Sequence, residues 1–328
     1  MVFSIVSLYI SLSLILLLDN FVVKWVIYEF SMILAIGILN ISKNSPKVVS
    51  IVYYSVSSLS SVLIMFFIVS SWNSLSITSF VSSGLQMNLL VVAMFLKLSM
   101  FPFHNWMIYC YEKSPWGQIF MLSSIMKFIP ISFFCHFINL WGVLGILLLS
   151  NSIFVSVYAS ANFSLKKLLA CSTSFNNFLL ILMFNLQIKQ FALFVILYSV
   201  SLFFLTSVAG KLSSSKILMI FNSSISSQLF KAWVVVYSML PLMTSFMLKW
   251  NFIHEMSKFN NYVSFIYLLY LISNLLLIWK YMTLIKKTMI TKKSMTYLKM
   301  GAELGLTTFS FTLIFLFTFI SFNFMNNY

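Results

Sequence analysis

The sequence predicts an all-α fold, a polytopic membrane helix bundle of about eleven transmembrane helices, and three observations carry that reading. The 328 residues are 61% hydrophobic and 8% charged, whereas a soluble domain carries roughly 25% charged residues. Apolar runs of about 20 residues recur along the chain, each long enough to cross about 30 Å of hydrocarbon. All twenty basic residues are lysine, and most stand in the short connections between those runs. No polar stretch is long enough for a separate soluble domain, so residues 1–328 read as a single membrane domain.

The first run covers 1–18 and ends at Asp19. It lacks the basic n-region of a secretory signal and the Arg-rich pattern of a transit peptide, as expected of a chain inserted where it is made. The second, 21–40, holds Glu29 at mid-span, and the third, 48–70, follows the connection bearing Lys43, Pro46 and Lys47. The fourth, 85–111, carries Lys97 and Pro102; the fifth, 117–138, starts after Pro115 and carries Lys127 and Pro130. Lys166 and Lys167 separate the sixth, 140–160, from the seventh, 167–185, and Lys189 precedes the eighth, 190–210. A Ser-rich connection, 211–228, leads to the ninth, 229–253, with Pro241 and Lys249. The tenth, 262–285, is followed by the basic segment 286–299 and the eleventh, 303–324.

Eleven spans alternate the connections between two faces. Fourteen lysines fall on the face shared with the N-terminus, three (Lys24, Lys189, Lys258) on the other, and three inside spans. The positive-inside rule then puts the N-terminus in the compartment of synthesis and the C-terminus on the far side. The net charge of +15 is thus a topology signal and not a nucleic-acid footprint. Segment 286–299 reads first as a topology anchor and second as a contact for anionic phospholipid. Cys110, Cys135 and Cys171 stand singly and read as buried apolar side chains, with no spacing for a metal or redox pair. His104, His136 and His254 are too few and too badly placed to ligate haem.

The charges inside the spans are the informative ones. Lys97 is about 12 residues from one end of its span and 14 from the other, roughly 18 to 21 Å of helix. Its side chain reaches roughly 6 Å, too little to snorkel out. Lys127 has the same difficulty, and burying such a charge costs at least about 2.5 kcal/mol. Pro102, Pro130 and Pro241 lie within eight residues of Lys97, Lys127 and Lys249. Each removes a backbone donor and frees the carbonyl four residues earlier, on Leu98, Met126 and Tyr237. In hydrocarbon, irregular backbone survives only where it is buried or lines a wet cavity. A mid-membrane cation beside a helix break is how transporters build ion sites. Glu29, Lys97, Lys127 and Lys249 are therefore the candidate proton relay, against the plainer reading of ion-paired residues that lock helix packing. The fourth and ninth spans, five apart, run in opposite directions. This predicts two inverted five-helix repeats, 1–138 and 139–285, with discontinuous helices carrying Lys97 and Lys249, then 286–328.

The stretches "KLSMFPFHNW" (97–106), "MKFIP" (126–130), "LKKLLACSTS" (165–174) and "MLPLMTSFMLKW" (239–250) resemble, in that order, the signatures of the subunit 2 family of NADH dehydrogenases. That family comprises antiporter-like membrane subunits of respiratory complex I, and the resemblance covers nearly the whole chain. It implies a proton-translocating core subunit of the mitochondrial inner membrane, its N-terminus in the matrix and its C-terminus in the intermembrane space. Glu29 and Lys97 match the family's glutamate–lysine pair, Lys127 the central relay lysine and Lys249 the lysine of the second broken helix. FMN, iron–sulfur clusters and ubiquinone are implied for other subunits, and no cofactor or metal for this chain. The implied partners are the other membrane-arm subunits and phospholipids, cardiolipin at 286–299 among them. The chain departs from the family at Phe101 (alanine in the family), Asn176 (histidine) and Phe178 (glycine). Water, Asn176, Ser172 or Ser174 is expected to bridge the missing histidine. His104 is expected to be structural or interfacial. The rival reading is a stand-alone cation/proton antiporter, which would need more intramembrane carboxylates than Glu29.

Overall fold

The computed structural model describes residues 2–41, 47–73, 79–136, 143–161, 164–186, 188–214, 225–237 and 261–290. Every regular element among them is a helix. They run α1 (Val2–Leu17), α2 (Phe21–Ile41), α3 (Lys47–Asn73), α4 (Ser79–Lys97), α5 (Asn105–Lys113) and α6 (Trp116–Ser123). There follow α7 (Ile125–Cys135), α8 (Val143–Ala161), α9 (Leu165–Leu186), α10 (Ile188–Ser214), α11 (Ile225–Tyr237) and α12 (Asn261–Ile290). Six described stretches are long and apolar enough to cross a bilayer, starting with Phe21–Asn40 and ending with Ile188–Gly210. The fourth predicted span is divided between α4 and α5, and the fifth between α6 and α7. The eleventh span, the remainder of the ninth with Pro241 and Lys249, and residues 291–299 lie outside the described residues.

The chain forms two compact units, residues 1–155 with 166–188, and residues 156–165 with 189–328. In the first, α3 packs on α4, α1 on α2 and α7, and α2 on α3 and α7. Its centre is legible in burial. Trp116–Cys135 is 94% buried and Leu165–Asn185 is 89% buried, against 39% for Phe21–Asn40 and 28% for Lys47–Ser70. The outer helices α2 and α3 accordingly expose Phe30, Ile33 and Phe66, as helices bathed in lipid do. Aromatic stacking ties the layers together, with Tyr28 of α2 lying 4.8 Å from Phe133 of α7 between ring centroids. In the second unit, α11 packs on α12, Phe204 stacks on Trp233 at 4.7 Å, and the Lys280 ammonium donates to the Ser160 carbonyl.

Turn chemistry fixes the connection between α5 and α6. Ser114 is extended (φ −79°, ψ 149°), the conformation a following proline imposes, and Pro115 caps α6. Polar contacts then gather helix ends at one level. Lys166 Nζ donates to the Ser114 carbonyl at 2.7 Å, Lys167 pairs with Glu112 at 3.3 Å, and Gln118 Nε2 donates to the Leu39 carbonyl at 2.7 Å. At the opposite ends, Asp19, Lys24 and His136 lie within electrostatic range of one another. This is the alternation that the lysine partition predicts for these spans. Gln118 is buried and serves a carbonyl in the last turn of α2 that has no intrahelical donor. Gln118→Leu is expected to destabilise the fold by about 1–3 kcal/mol, read as a lower melting temperature of the purified assembly.

All three predicted cysteines are free and buried. Pro130 does not end its helix. α7 continues through it, and the interruption falls at Ser124 (φ −107°, ψ −97°). A proline ring presses on the turn before it, and Ser124 closes that turn's N-terminal side, where its hydroxyl returns to the Phe120 carbonyl at 2.6 Å.

Candidate functional site

Three of the four predicted relay residues lie in the first unit, on helices packed against one another; Lys249 lies outside the described residues. Lys97 is the last residue of α4 and only 3% exposed. A helix C-terminus favours a cation there, because its unpaired carbonyls and the negative end of its dipole face that residue. Lys97 Nζ stands 4.5 Å from the centroid of the Tyr53 ring, supplied by α3, a cation–π distance. Lys127 is 2% exposed in the first turn of α7, within electrostatic range of Cys171 on α9. Glu29 is half-buried on α2 and within electrostatic range of Lys97. Its carboxylate lines a cavity of about 510 Å³ between α2 and α3, with Trp25, Ser61, Met65 and Phe66.

Among the described residues, no direct ion pair joins these groups; the pair found is Lys167–Glu112. Lys97 Nζ, Lys127 Nζ and Asn177 Oδ1 are buried with no hydrogen-bond partner among the described residues, whereas buried polar atoms nearly always have one. The Tyr28 hydroxyl lies within reach of Ser60, and the Glu29 carboxylate within reach of Trp25.

The interruption after Lys97 is stitched rather than loose. It runs from Leu98 to His104, with Ser99 in the left-handed region at φ 54°. Pro102 leaves the Leu98 carbonyl without its helical donor, and Asn177 Nδ2 of α9 supplies one at 2.7 Å. The Phe101 N–H donates to Asn151 Oδ1 of α8 at 2.7 Å, and Asn151 Nδ2 donates to the Ser174 carbonyl at 3.2 Å. Trp106 Nε1 reaches back to the Leu96 carbonyl at 3.1 Å. Phe101 stacks on Phe154 at 4.2 Å between ring centroids. His104 stands at the N-cap position of α5 without a side-chain capping bond, its ring 6.1 Å from that of Phe101 between centroids.

α9 supplies the polar face between these lysine-bearing helices. Ser172, Thr173, Ser174, Asn176 and Asn177 are all at most 5% exposed. The three hydroxyls donate to carbonyls one turn back, and Tyr111 contacts Thr173 at 3.3 Å. Sequence reasoning missed Tyr53, Asn151 and Asn177. The signal that would have found the asparagines is the cost of an amide in an apolar span, which demands a partner.

A curated relative, "NADH-ubiquinone oxidoreductase chain 2" of Apis mellifera ligustica, is 35% identical over 271 residues, 82% of this chain and 79% of its own length. The chain belongs to the NADH-ubiquinone oxidoreductase chain 2 family. Solved structures agree on the fold of this chain 2 member. One is a chain of respiratory complex I from Thermus thermophilus with bound aureothin, with a TM-score of 0.73 and 14% identity. It covers 96% of this chain and 77% of the other. The second is a chain of the membrane-bound sulfane sulfur reductase, an archaeal respiratory membrane complex, with a TM-score of 0.72 and 15% identity over 92% and 69% of the two chains. No protein-family model matches the chain. Chain 2 membership removes the ground for a stand-alone cation/proton antiporter.

Proposed function

We propose that this chain is the proton-translocating antiporter-like core subunit 2 of NADH:ubiquinone oxidoreductase in the mitochondrial inner membrane. It relays protons through Glu29, Lys97 and Lys127, with Lys249 as the fourth member. The observation that carries this reading is the pair of buried amines, Lys97 and Lys127, on helices packed together, which have neither a salt bridge nor a hydrogen-bond partner among the described residues. A lysine kept to lock helices would be paired, since an unpaired buried charge is costly. A lysine kept to pass protons has to reach water and release it again.

In this mechanism Glu29 exchanges a proton with the Lys97 amine. Lys97 Nζ then passes it through water along the α9 face to Lys127 Nζ. Lys97 is held by the end of α4 and the Tyr53 ring, so changes in the charge of Glu29 act on a fixed amine. Moving a charge against the membrane potential costs about 2.3 kcal/mol per 100 mV. That energy comes from NADH oxidation and quinone reduction in other subunits, which hold the FMN, iron–sulfur clusters and ubiquinone site. The partners are the other membrane-arm subunits and phospholipid, with cardiolipin at 286–299. The N-terminus lies in the matrix and the C-terminus in the intermembrane space.

The test is proton uptake into liposomes per NADH oxidised, in assemblies carrying single substitutions. Lys189 is exposed at the start of α10. Lys189→Ala is expected to leave uptake within about 20% of the unsubstituted level, because surface substitutions change little. A loss there as large as that at Lys97 would mean the assay reads general damage.

A further inference from the structure

We propose that Asn177, seconded by Asn151, is a positioning residue of the proton path. Its amide holds the interrupted segment that follows Lys97, and its carbonyl oxygen accepts a hydrogen bond from water bound at the Lys97 amine. The inference rests on the relay reading above and adds to it the device that sets the lysine's geometry.

The amide orientations are forced by their partners. The Leu98 carbonyl can only accept, so the Asn177 atom 2.7 Å from it is Nδ2 and its Oδ1 faces elsewhere. The Phe101 N–H can only donate, so the Asn151 atom 2.7 Å away is Oδ1, which turns Nδ2 to the Ser174 carbonyl. The Leu98 carbonyl accepts from the adjacent Ser99 hydroxyl at 2.6 Å as well as from Asn177, and the Phe101 N–H is served by Asn151. The asparagine contacts bridge 50 and 79 residues, so they tie the interruption to α8 and α9. Asn177 is 0% exposed, and its Oδ1 has no partner in the protein. Its Nδ2 grips the residue that directly follows Lys97, and its open acceptor leaves it able to take a hydrogen bond from a water in the path.

The experiment uses the intact complex in liposomes, with proton uptake per NADH oxidised measured from pH 6 to pH 8 for Asn177→Leu and Asn177→Asp. The leucine variant removes donor and acceptor alike and is expected to lose about tenfold in uptake at every pH. The aspartate variant keeps the shape, and its carboxyl can donate to the Leu98 carbonyl only when protonated. Its uptake relative to the unsubstituted complex is expected to be low at pH 8 and to recover several-fold by pH 6. A melting temperature of the aspartate variant that falls from pH 6 to pH 8 in step with uptake marks a merely structural role and overturns the proposal, as does an aspartate profile parallel to the unsubstituted one or full uptake by an assembled leucine variant. If the leucine variant fails to assemble, the isosteric aspartate profile decides alone. Loss of uptake in Lys97→Met with an unaffected Asn177 series would sink the positioning device and leave the relay standing. Full uptake in Lys97→Met would sink the relay itself.

Discussion

Replacing Lys97 with methionine leaves the complex assembled and lowers the NADH-driven rate of proton uptake by at least about tenfold, equivalent to about 1.4 kcal/mol on the limiting barrier. Methionine is unbranched, has nearly the length of the lysine stem, and packs well against aromatic faces. It therefore fills the space under the Tyr53 ring, where Lys97 Nζ now sits at 4.5 Å. The substitution removes the amine and little else. Exchanging a buried charge for an apolar group of similar shape is often neutral or stabilising, so the melting temperature of the assembly is expected to hold or rise. Lost pumping with retained stability is the combination a scaffold lysine could not produce.

Lys127→Met is expected to behave in the same way, with a comparable loss. Lys127 is 2% exposed in a helix whose residues are all buried, and its electrostatic neighbour is the Cys171 thiol of α9 rather than a carboxylate. No salt bridge is broken by removing it, so a drop in uptake reports on proton passage. The double variant Lys97→Met with Lys127→Met is expected to be no worse than the poorer single, because residues acting in one path are non-additive. Two independent losses multiplied together would place the lysines in separate paths.

Much of this was written in the chain. Glu29, Lys97 and Lys127 stand out because charge inside an apolar run is expensive, and Pro102 foretells the interruption at 98–104 because a proline withholds a donor from Leu98. The one at Ser124 was not legible. Pro130 draws attention to itself, while the backbone yields on the far side of the turn that the ring presses, at a serine with no sequence mark. Asn151 and Asn177 were illegible for another reason. Each is an amide inside an apolar run, and its meaning depends on a backbone group 50 or 79 positions away. Asn176 drew notice through the family resemblance, whereas its neighbour makes the contact with the interrupted helix.

The most direct test of a relay through buried amines is a density map of the assembled complex that resolves ordered water. The expected result is a continuous hydrogen-bonded file from Lys97 Nζ, past Asn177 Oδ1 and the α9 hydroxyls, to Lys127 Nζ. A dry gap packed with apolar side chains, with each amine satisfied by its own protein acceptor, would contradict it.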